Sequence, residues 1–559
     1  MQQAVASGIK PARRDFWPNL RTVQDFFTIP NVIVALGCFA LVFMLIVLPL
    51  PWNLRLPLYL AALVWTILRP RAALYLMAFA VPWGSLDYIN VSTLRLDSAD
   101  ILVVFLVIGW LLQWCLPARV RQQQRDEARV PGYLALAMLA LLFTMLLSTV
   151  VAINIKDSLK EISKWLEVLA LLMLGSQYLQ TRRQIWTMIV LICLAGITQA
   201  IFGYFQAGLN LGPQSFIRGA SLRVYGTFDQ PNPYAAYINM PLSIALALTL
   251  LSRDWLTRLL AGITVVSLGL AELLSQSRGG EIALAAALTF ILLAGMPRVR
   301  TLMRIGIFAI LAGLAAAMLG LLPSSLTSSA LKFLGLEQIS FSAPSAQDYS
   351  TAERLAHWIA GLNMFFDHPI LGVGIGNYPD AYAPYHITIF LDSLGHAHNY
   401  YINIAAEMGT IGLVVYLGFV AALFVLGGHA IRSLSRRYHQ ERSRVQAQPG
   451  GKRPIIQKPL ELKDKVALLL QPQHMMRVYR SASPLARGRL LANDRALAIG
   501  ITAALVTVAV HNLVDDVYVH SLTNLIALLL IALIRLERVT PGTETQAAYG
   551  GQVDFTESR

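Results

Sequence analysis

The sequence predicts an all-α fold: a polytopic integral membrane helix bundle of 12–14 transmembrane helices, with a large extracytoplasmic loop that contains an amphipathic helix. Of the 559 residues, 56% are hydrophobic and only 14% are charged, and the mean hydropathy is +0.56. A soluble domain carries about 25% charged residues. Apolar runs of roughly 20 residues, the length that crosses a bilayer, recur along most of the chain. A soluble enzyme and a disordered chain are therefore excluded.

Apolar runs define up to fourteen candidate spans. The first run follows about 30 polar residues and is long enough to span, so it predicts a signal-anchor helix rather than a cleaved signal peptide. The second and third runs are short and could form one re-entrant pair, which sets the range of 12–14. The predicted spans cover residues 32–50, 56–68, 72–83, 100–116, 132–152, 161–178, 185–207, 234–252, 258–274, 280–296, 304–322, 399–428, 496–511 and 519–535.

The distribution of Lys and Arg predicts the orientation of these spans. When the N-terminus is placed in the cytoplasm, 35 of the 45 basic residues fall in cytoplasmic segments. Without the long loop at 429–495, cytoplasmic basic residues still outnumber external ones by 20 to 10. Because basic residues concentrate on the cytoplasmic side, we expect a multi-pass protein of the bacterial inner membrane with both termini in the cytoplasm.

This topology divides the chain into seven segments. They are a cytoplasmic N-terminal segment (1–31), the first part of the bundle (32–322), an extracytoplasmic loop (323–398), a transmembrane helix (399–428), a basic cytoplasmic loop (429–495), two final helices (496–535) and a disordered cytoplasmic tail (536–559). The basic loop has a net charge of +11, which favours contact with anionic membrane lipids. We expect no nucleic-acid partner, since no aromatic interleaving or binding motif accompanies these charges.

The extracytoplasmic loop contains a predicted amphipathic helix at the membrane surface. Ser350–Glu353 has the pattern of a capping box, and His368-Pro369 is expected to end the helix. Three glycines that follow predict a flexible turn, and a loop of this length with its own helix is more often functional than incidental. The apolar positions at helical spacing are Leu355, Trp358, Ile359, Leu362 and Phe365, and the glycines are Gly372, Gly374 and Gly376.

Five basic side chains stand out among the few on the predicted outer face: Arg223, Arg278, Arg354, His396 and His398. Arginine presents a planar donor fork that matches phosphate oxygens. The glycines after Arg278 would let a bulky anion approach the backbone, and a histidine near pKa 6.5 can accept a proton from a hydroxyl. Together these groups predict an anion site with a base.

Each of these residues also has a structural interpretation. Arg223 could anchor at the interface or bind a loop carbonyl, and Arg354 could pair with a carboxylate. His398 could cap the next span, with His396 in a supporting part. Glu272 and Glu407 are functional candidates because they lie in or near the membrane, or they could pair with an arginine such as Arg278.

No metal site is expected from the spacing of possible ligands. Asp515 and Asp516, adjacent in a short outer loop, could bind a divalent ion. Neighbouring residues on a helix diverge, however, so solvation is the favoured interpretation. Cys38, Cys115 and Cys193 all lie in apolar segments and suggest neither metal ligands nor a disulfide framework.

Six motifs within residues 223–413 resemble the O-antigen ligase/polymerase superfamily of bacterial membrane glycan transferases. Each motif is weak alone, but their order and spacing make the set specific. They are Arg223-Val-Tyr-Gly-Thr-Phe-Asp-Gln-Pro-Asn-Pro, Ser275-Gln-Ser-Arg278-Gly, Glu353-Arg354 with Trp358, Asp367-His-Pro-Ile-Leu-Gly-Val-Gly-Ile-Gly-Asn377, His396-Ala-His398-Asn399-Tyr-Tyr and Glu407-Met-Gly409-Thr-Ile-Gly412-Leu.

The resemblance implies an inverting glycosyltransferase that uses an undecaprenyl-diphosphate-linked glycan as donor, with no cofactor and no metal. It implies that Arg278 and Arg354 hold the diphosphate and that His398 acts at the acceptor hydroxyl. The further residues expected to bind substrate are Arg223, His396, Glu407 and Asn399. The acceptor, which is lipid- or glycan-linked, could be a lipid A core (ligase) or another lipid-linked glycan (polymerase). A relative that glycosylates protein is a further alternative.

A lipid-linked glycan flippase or transporter is the rival from another class. A transporter would place ionisable residues at mid-membrane depth and often contains internal repeats. Here the polar set clusters at one predicted face and no clear repeat is present, which favours the enzyme.

The topology predicts that positions 345 and 455 lie on opposite sides of the membrane. In a chain whose three native cysteines are replaced by serine, we expect Ser345→Cys to react with an impermeant thiol reagent added outside. Ile455→Cys should react only after the membrane is opened. Labelling of both positions from the same side would contradict the predicted topology.

Overall fold

The computed structural model describes residues 50–86, 88–91, 94–112, 130–219, 221–321, 349–447 and 484–538, most of 37–47 and a few single positions. The predicted N-terminal segment, part of the first span, most of 322–348, much of the basic loop and most of the tail lie outside the described residues.

The described chain is almost entirely helical, which confirms the all-α fold. Two short antiparallel hairpins are the described exceptions. The elements up to residue 251 are α1 (Trp52–Leu68), α2 (Arg71–Trp83), β1 (Tyr88–Val91), β2 (Leu94–Asp97), α3 (Ser98–Leu112), α4 (Gly132–Ser148), α5 (Ile155–Ala170), α6 (Arg182–Leu209), β3 (Ile217–Arg218), β4 (Ser221–Leu222) and α7 (Pro231–Leu251). A π-helical turn at Leu171–Gly175 continues α5 into Ser176–Tyr178.

The described residues after 251 form eight further helices. They are α8 (Trp255–Ser275), α9 (Arg278–Gly295), α10 (Pro297–Met318), α11 (Tyr349–Asp367), α12 (Tyr378–Ala381), α13 (Tyr400–Ala447), α14 (Pro484–His511) and α15 (Leu522–Arg538). Within the described residues, eight helices are long and apolar enough to cross a membrane, and two shorter apolar helices accompany them. The chain is thus a multi-pass membrane helix bundle.

Helix α7 lies at the centre of the bundle. It packs against α8, α9 and α14, and most of its side chains are buried, including the polar Asn239 and Ser243. In contrast, α8 exposes Ile263, Val266 and Leu273 by between 56% and 73%. Large exposed apolar side chains on a spanning helix are what a lipid-facing surface requires.

Segments predicted to face the cytoplasm meet at one end of the bundle. Arg182 Nε lies 2.8 and 2.9 Å from the two carboxylate oxygens of Asp494, which also accepts a hydrogen bond from Trp186 Nε1 at 2.7 Å. Ser252 Oγ lies 2.6 Å from Asn493 Oδ1. These contacts tie α6 and the C-terminal end of α7 to α14 at the same end of the bundle.

Segments predicted to face outwards meet at the opposite end. Asn232 at the start of α7 contacts the loop between α14 and α15, and Ser521 of that loop bonds Asp97 and Asp100 at 2.6 and 2.9 Å. The contacts therefore agree with the predicted alternation of ends. The side of the membrane on which each end lies stays a prediction.

Two helices extend beyond the predicted spans. Helix α13 continues to Ala447 and α14 begins at Pro484, whereas the hydropathy placed the membrane boundaries at 428 and 496. Both ends of the predicted basic loop are thus helical. Arg, Glu and Gln are good helix formers, so the helices continue where the chain turns polar.

The loop helix α11 differs from the prediction in where it starts and in which of its faces is buried. It starts at Tyr349, so Ser350 lies inside the first turn and not at the N-cap. Its buried face consists of small residues, one methionine and one histidine, and the predicted apolar stripe is partly or fully exposed. The buried residues are Ala352, Ala356, His357, Ala360, Gly361 and Met364. Small side chains let α11 approach α13 closely, which leaves the larger ones outside the contact.

The glycines after α11 form a closely packed turn, so the predicted flexible turn is wrong. Gly372, Gly374 and Gly376 all have positive φ, which favours glycine. A Cβ on Gly372 would lie 2.2 Å from the carbonyl carbon of Glu407, and one on Gly409 would lie 2.3 Å from that of Ile370. The backbone of this turn therefore lies directly against the start of α13.

Gly372→Ala should destabilise the protein by about 2 kcal/mol or more, because it adds left-handed backbone strain to a backbone clash. The measurement is thermal unfolding in detergent. Gly418→Ala is the control, since Gly418 is helical and has open space around its Cα. Equal stability of the two variants would contradict the close packing of this turn.

Candidate active site

Two histidines share one carboxylate at the outer end of the bundle. His396 Nε2 lies 3.1 Å from Oδ1 of Asp515, and His398 Nδ1 lies 3.4 Å from the same oxygen. The histidines precede α13, and Asp515 lies between α14 and α15. Asp515 is only 6% exposed, so its charge depends on these partners rather than on water.

The ionisation of this cluster follows from its hydrogen bonds. Burial raises the pKa of Asp515, but hydrogen bonds from His396 and His398 outweigh it and hold that pKa well below its usual value. Burial lowers the pKa of His396, whereas the hydrogen bond and charge of Asp515 raise it above 6.5 overall. The cluster therefore holds an ionised carboxylate beside a readily protonated His396.

The backbone around His398 is held in an unusual conformation. His398 has a φ of +51°, a left-handed value that is uncommon for residues other than glycine. Trp358 Nε1 on α11 donates to the His398 carbonyl at 3.1 Å. Asn399 then caps α13, since its Oδ1 accepts from the amides of Tyr401 and Ile402 at 3.0 and 3.2 Å. These contacts fix where the His398 ring can point.

The ring of His398 is arranged as a base. Its Nδ1 faces an ionised carboxylate and therefore carries the proton, which leaves a lone pair on Nε2. That Nε2 is buried and has no hydrogen-bond partner among the described residues. Burial, with the nearby charges of His396 and Arg354, lowers the pKa of His398 despite the opposing effect of Asp515. A neutral imidazole at neutral pH results.

Four arginines lie near one another at the outer end of the bundle, and one of them, Arg354, also acts on His398. They are Arg218, Arg223, Arg278 and Arg354. Burial lowers the pKa of Arg223 to about 10, and the charges of Arg218 and Arg354 add to this effect. Burial also lowers the pKa of Arg218, with contributions from Arg278 and Arg354. Like charges at this range are costly without a counterion, so the cluster favours an anionic ligand.

Two of the four guanidinium groups are available to such a ligand. Within the described part of the chain, Arg278 and Arg354 have neither a hydrogen-bond nor an ion-pair partner for their side chains. Arg278 is also the first residue of α9, where Ser277 caps the helix and the helix dipole adds positive potential. By contrast, Arg223 donates to the Ser275 carbonyl at 3.1 Å and to Asn232 at 3.3 Å.

Residues 263–417 match the family model described as O-antigen ligase. This segment is similar to the O-antigen ligase family and supports the predicted superfamily. The match indicates a membrane enzyme family of the ligase or polymerase type. The matched segment contains Arg278, Arg354 and both histidines, whereas Arg223 and Asp515 lie outside it. Comparison with curated proteins gave no match.

Most of the residues predicted for the site do come together. Arg223, Arg278, Arg354, His396 and His398 all lie at the outer end. Their close approach is evident in the hydrogen bonds and mutual pKa effects described above. For Arg223, the loop-carbonyl interpretation is also correct, because its Nε bonds Ser275.

Two predicted substrate-binding residues make structural contacts, and their part in substrate binding stays a prediction. Asn399 serves as the N-cap of α13. Glu407 is 3% exposed, and its Oε1 accepts from the Tyr378 amide at 3.1 Å. This bond holds the glycine turn against α13. One oxygen of each side chain is therefore bonded to backbone amides of the protein itself.

The glycines beside Arg278 do not open the backbone to a ligand, contrary to expectation. A Cβ on Gly280 would lie 2.3 Å from Glu272 Oε1, and one on Gly279 would lie 2.6 Å from Val514 Cγ2. Their space is filled by neighbouring helices. These glycines thus allow α9 to pack closely against its neighbours, with Arg278 at its start near Arg218.

The proposed pairing of Glu272 with Arg278 is also wrong. Glu272 is 1% exposed and accepts a hydrogen bond from Asn239 Nδ2 at 3.2 Å. The same amide donates to the Gly280 carbonyl at 2.9 Å. Glu272 therefore contributes to the junction of α7, α8 and α9.

Sequence reasoning missed four members of the site: Asp515, Asn232, Arg218 and His357. Asp515 was expected to be solvated, but it is buried and bonded to both histidines and to Asn232 Nδ2 at 2.6 Å. Its position in a short outer loop between two apolar helices could have marked this carboxylate as a functional candidate. Arg218 was one of the few basic residues on the predicted outer face. His357, whose ring centroid lies 5.4 Å from that of His398, gave no signal, because it lies within an apparently ordinary helix.

The two histidines and Asp515 also have donor atoms within 4.8 Å of one another, as metal-binding side chains do. The hydrogen bonds from both imidazole rings to Asp515 Oδ1 account for these short distances. The expectation of a metal-free site stays a prediction.

Asp515→Asn should lower the free energy of unfolding by about 1–3 kcal/mol near pH 6, since bonds to an ionised group are lost. Asp515 raises the pKa of His396. The interaction between these two side chains therefore stabilises the folded state fully below pH 6.5, where His396 is protonated. It is lost as pH rises through the higher pKa of the folded state. Thermal unfolding at several pH values should thus show that the difference in stability between wild type and Asp515→Asn narrows as pH rises above 6.5.

Asp516→Asn is the matched control. Its carboxylate bonds the Tyr518 amide at 2.8 Å rather than a histidine ring, so the pH dependence should change less. A difference between wild type and Asp515→Asn that stayed constant with pH would contradict this account of the cluster.

Proposed function

We propose that the chain is an O-antigen ligase-like glycosyltransferase of bacterial cell-surface polysaccharide biosynthesis. It transfers a glycan from undecaprenyl diphosphate to an acceptor hydroxyl at the outer face of the inner membrane. The observation that carries this proposal is the neutral His398 ring, with its buried and unpartnered Nε2, beside a cluster of four arginines. A base next to an uncompensated anion site suits a displacement in which a diphosphate leaves.

The donor diphosphate binds to the guanidinium groups without partners. Arg278 and Arg354 offer planar donor forks to its oxygens, and the start of α9 adds the positive end of a helix dipole. Arg218 and Arg223 supply further positive potential. As the diphosphate departs, its increasing negative charge is stabilised by these preorganised cations.

The acceptor hydroxyl gives its proton to His398 Nε2. The acceptor oxygen forms a bond to the anomeric carbon, and the bond from that carbon to the diphosphate oxygen breaks with its electron pair on the diphosphate. Attack opposite the leaving group inverts the anomeric centre. Asp515 orients His398 through Nδ1 and stabilises the imidazolium that forms, as the carboxylate does in serine-protease triads. No step requires a metal or another cofactor.

Ligase and polymerase differ only in the acceptor in this scheme. A lipid A core gives a ligase, and a second lipid-linked glycan gives a polymerase. The gathering of the charged groups at one end of the bundle supports either enzyme over a flippase, which needs polar groups along a path through the membrane.

His398→Ala should reduce glycan transfer by at least about 100-fold, since a general base typically contributes that much or more. Arg278→Ala should reduce it by about 100- to 1,000-fold through loss of charge stabilisation. The assay is transfer from a lipid-diphosphate glycan in membranes that contain the full chain. A product still on undecaprenyl diphosphate identifies a polymerase, and one on another carrier identifies a ligase.

Arg304→Ala serves as the matched control, because Arg304 is an exposed arginine near the start of α10. It should insert and transfer glycan normally. Unchanged transfer by both His398→Ala and Arg278→Ala would exclude the proposed site. Normal donor translocation without any transfer by wild type would favour the flippase.

A further inference from the structure

A groove follows one face of α8 on the surface of the bundle. Its volume is about 700 Å³, which is within the range of small-molecule sites. Apart from Tyr204 of α6, every residue that lines it belongs to α8, and these residues recur about once per helical turn. Leu259, Ile263, Val266 and Leu270 line the groove and are each about half exposed or more. An apolar ligand therefore has a continuous surface along this helix.

The length of the groove matches one leaflet of a bilayer. It runs from Arg258 to Leu270, and an α-helix rises about 18 Å between these positions. The hydrocarbon core of a bilayer is roughly 30 Å thick. Arg258 lies at the end of the bundle that is predicted to face the cytoplasm. The groove thus extends from that surface a little beyond the middle of the membrane, as one acyl chain does.

Arg258 lies at the surface end of the groove, and only part of its guanidinium group is used by the protein. Its Nε donates to the Ser252 carbonyl at 2.6 Å. Within the described part of the chain, the two terminal nitrogens have neither a hydrogen-bond nor an ion-pair partner. These nitrogens are donors in the geometry that phosphate oxygens accept.

The turn before α8 fixes the position of Arg258. Asp254 caps α8, because one of its carboxylate oxygens accepts from the amide and the hydroxyl of Thr257 at 2.9 and 2.7 Å. Ser252 Oγ lies 2.6 Å from Asn493 Oδ1. Ser252, Asp254 and Asn493 are all at most 2% exposed. The guanidinium group is therefore placed by buried contacts before any ligand binds, which reduces the entropy lost on binding.

We propose that this groove binds a glycerophospholipid with an anionic headgroup. The phosphate accepts hydrogen bonds from the terminal nitrogens of Arg258, and one acyl chain lies along Ile263, Val266 and Leu270. Trp255 at the start of α8 is 57% exposed, as suits an indole ring at the level of the headgroups. Basic residues near the membrane surface attract anionic lipids. This lipid is neither the donor nor the acceptor of the proposed reaction.

The polyprenyl chain of the proposed donor is the alternative occupant. Its diphosphate would lie at Arg278, and an α-helix rises about 30 Å between positions 258 and 278. A donor chain would therefore enter the groove from the opposite end and leave Arg258 without a phosphate. The guanidinium group at the surface end favours a phospholipid.

The experiment is photo-cross-linking of the full chain in detergent with a phosphatidylglycerol that carries a diazirine in one acyl chain. Labelled peptides are assigned by mass spectrometry, and competition with unlabelled phosphatidylglycerol gives an apparent Kd for labelling within 255–275. Arg258→Gln should raise this Kd by about 10- to 100-fold, because charge-assisted hydrogen bonds are lost. Dioleoylglycerol, which lacks the phosphate, should compete at least about tenfold more weakly than phosphatidylglycerol for the same reason.

A second variant fills the groove. Gly262 lines it, and a Cβ there would meet its nearest neighbour, Thr249 Cγ2, at 3.9 Å. Gly262→Leu can therefore fold, and it should raise the Kd by about tenfold because its side chain occupies ligand space. Gly269→Leu is the matched control, since Gly269 lies on the same helix in open space. Arg304→Gln is the control for charge, and both controls should keep the wild-type Kd.

A wild-type Kd in Arg258→Gln would overturn the inference. So would equal competition by dioleoylglycerol and phosphatidylglycerol, or equal effects of Gly262→Leu and Gly269→Leu. Undecaprenyl phosphate that competes better than phosphatidylglycerol would identify a prenyl chain as the occupant instead. Thermal unfolding checks that each variant is folded, and Arg258→Gln decides if Gly262→Leu is not. The measurement does not involve glycan transfer, so its outcome is independent of the proposed function.

Discussion

The carboxylate of Asp515 accepts hydrogen bonds from three side chains that come from two other parts of the chain. Two are the histidines in the loop before α13, and the third is Asn232 at the start of α7. Asn232 in turn accepts from Arg223 and from Ser277, the cap of α9. One buried negative charge thus sets the positions of the base, an arginine and a helix terminus.

The same charge does not neutralise the arginine cluster, because its hydrogen-bonding capacity is used by the histidines and Asn232. Arg278 and Arg354 therefore keep their positive charge available at the outer end of the bundle. Close packing sustains this arrangement. Gly279 and Gly280 allow α9 to lie against α8 and α14, so Arg278 reaches the cluster without an extended or mobile loop.

The helices could be predicted well because hydropathy depends only on local composition. The central span predicted at 234–252 is α7, which runs from Pro231 to Leu251. The boundaries of α13 and α14 were placed less well, because a helix can continue as the chain turns polar. The buried face of α11 could not be predicted, because it consists mostly of small residues that hydropathy hardly distinguishes from exposed ones.

Motifs located Arg278, Arg354, His396 and His398, because such residues are few on the predicted outer face. Asp515 could not be paired with them in advance, since it lies 117 residues from His398 along the chain. The same holds for His357, whose neighbours come from other segments. The sequence by itself determined a membrane helix bundle and a minority of charged residues at one end. Only the tertiary structure decided which groups share protons, because that depends on contacts between distant segments.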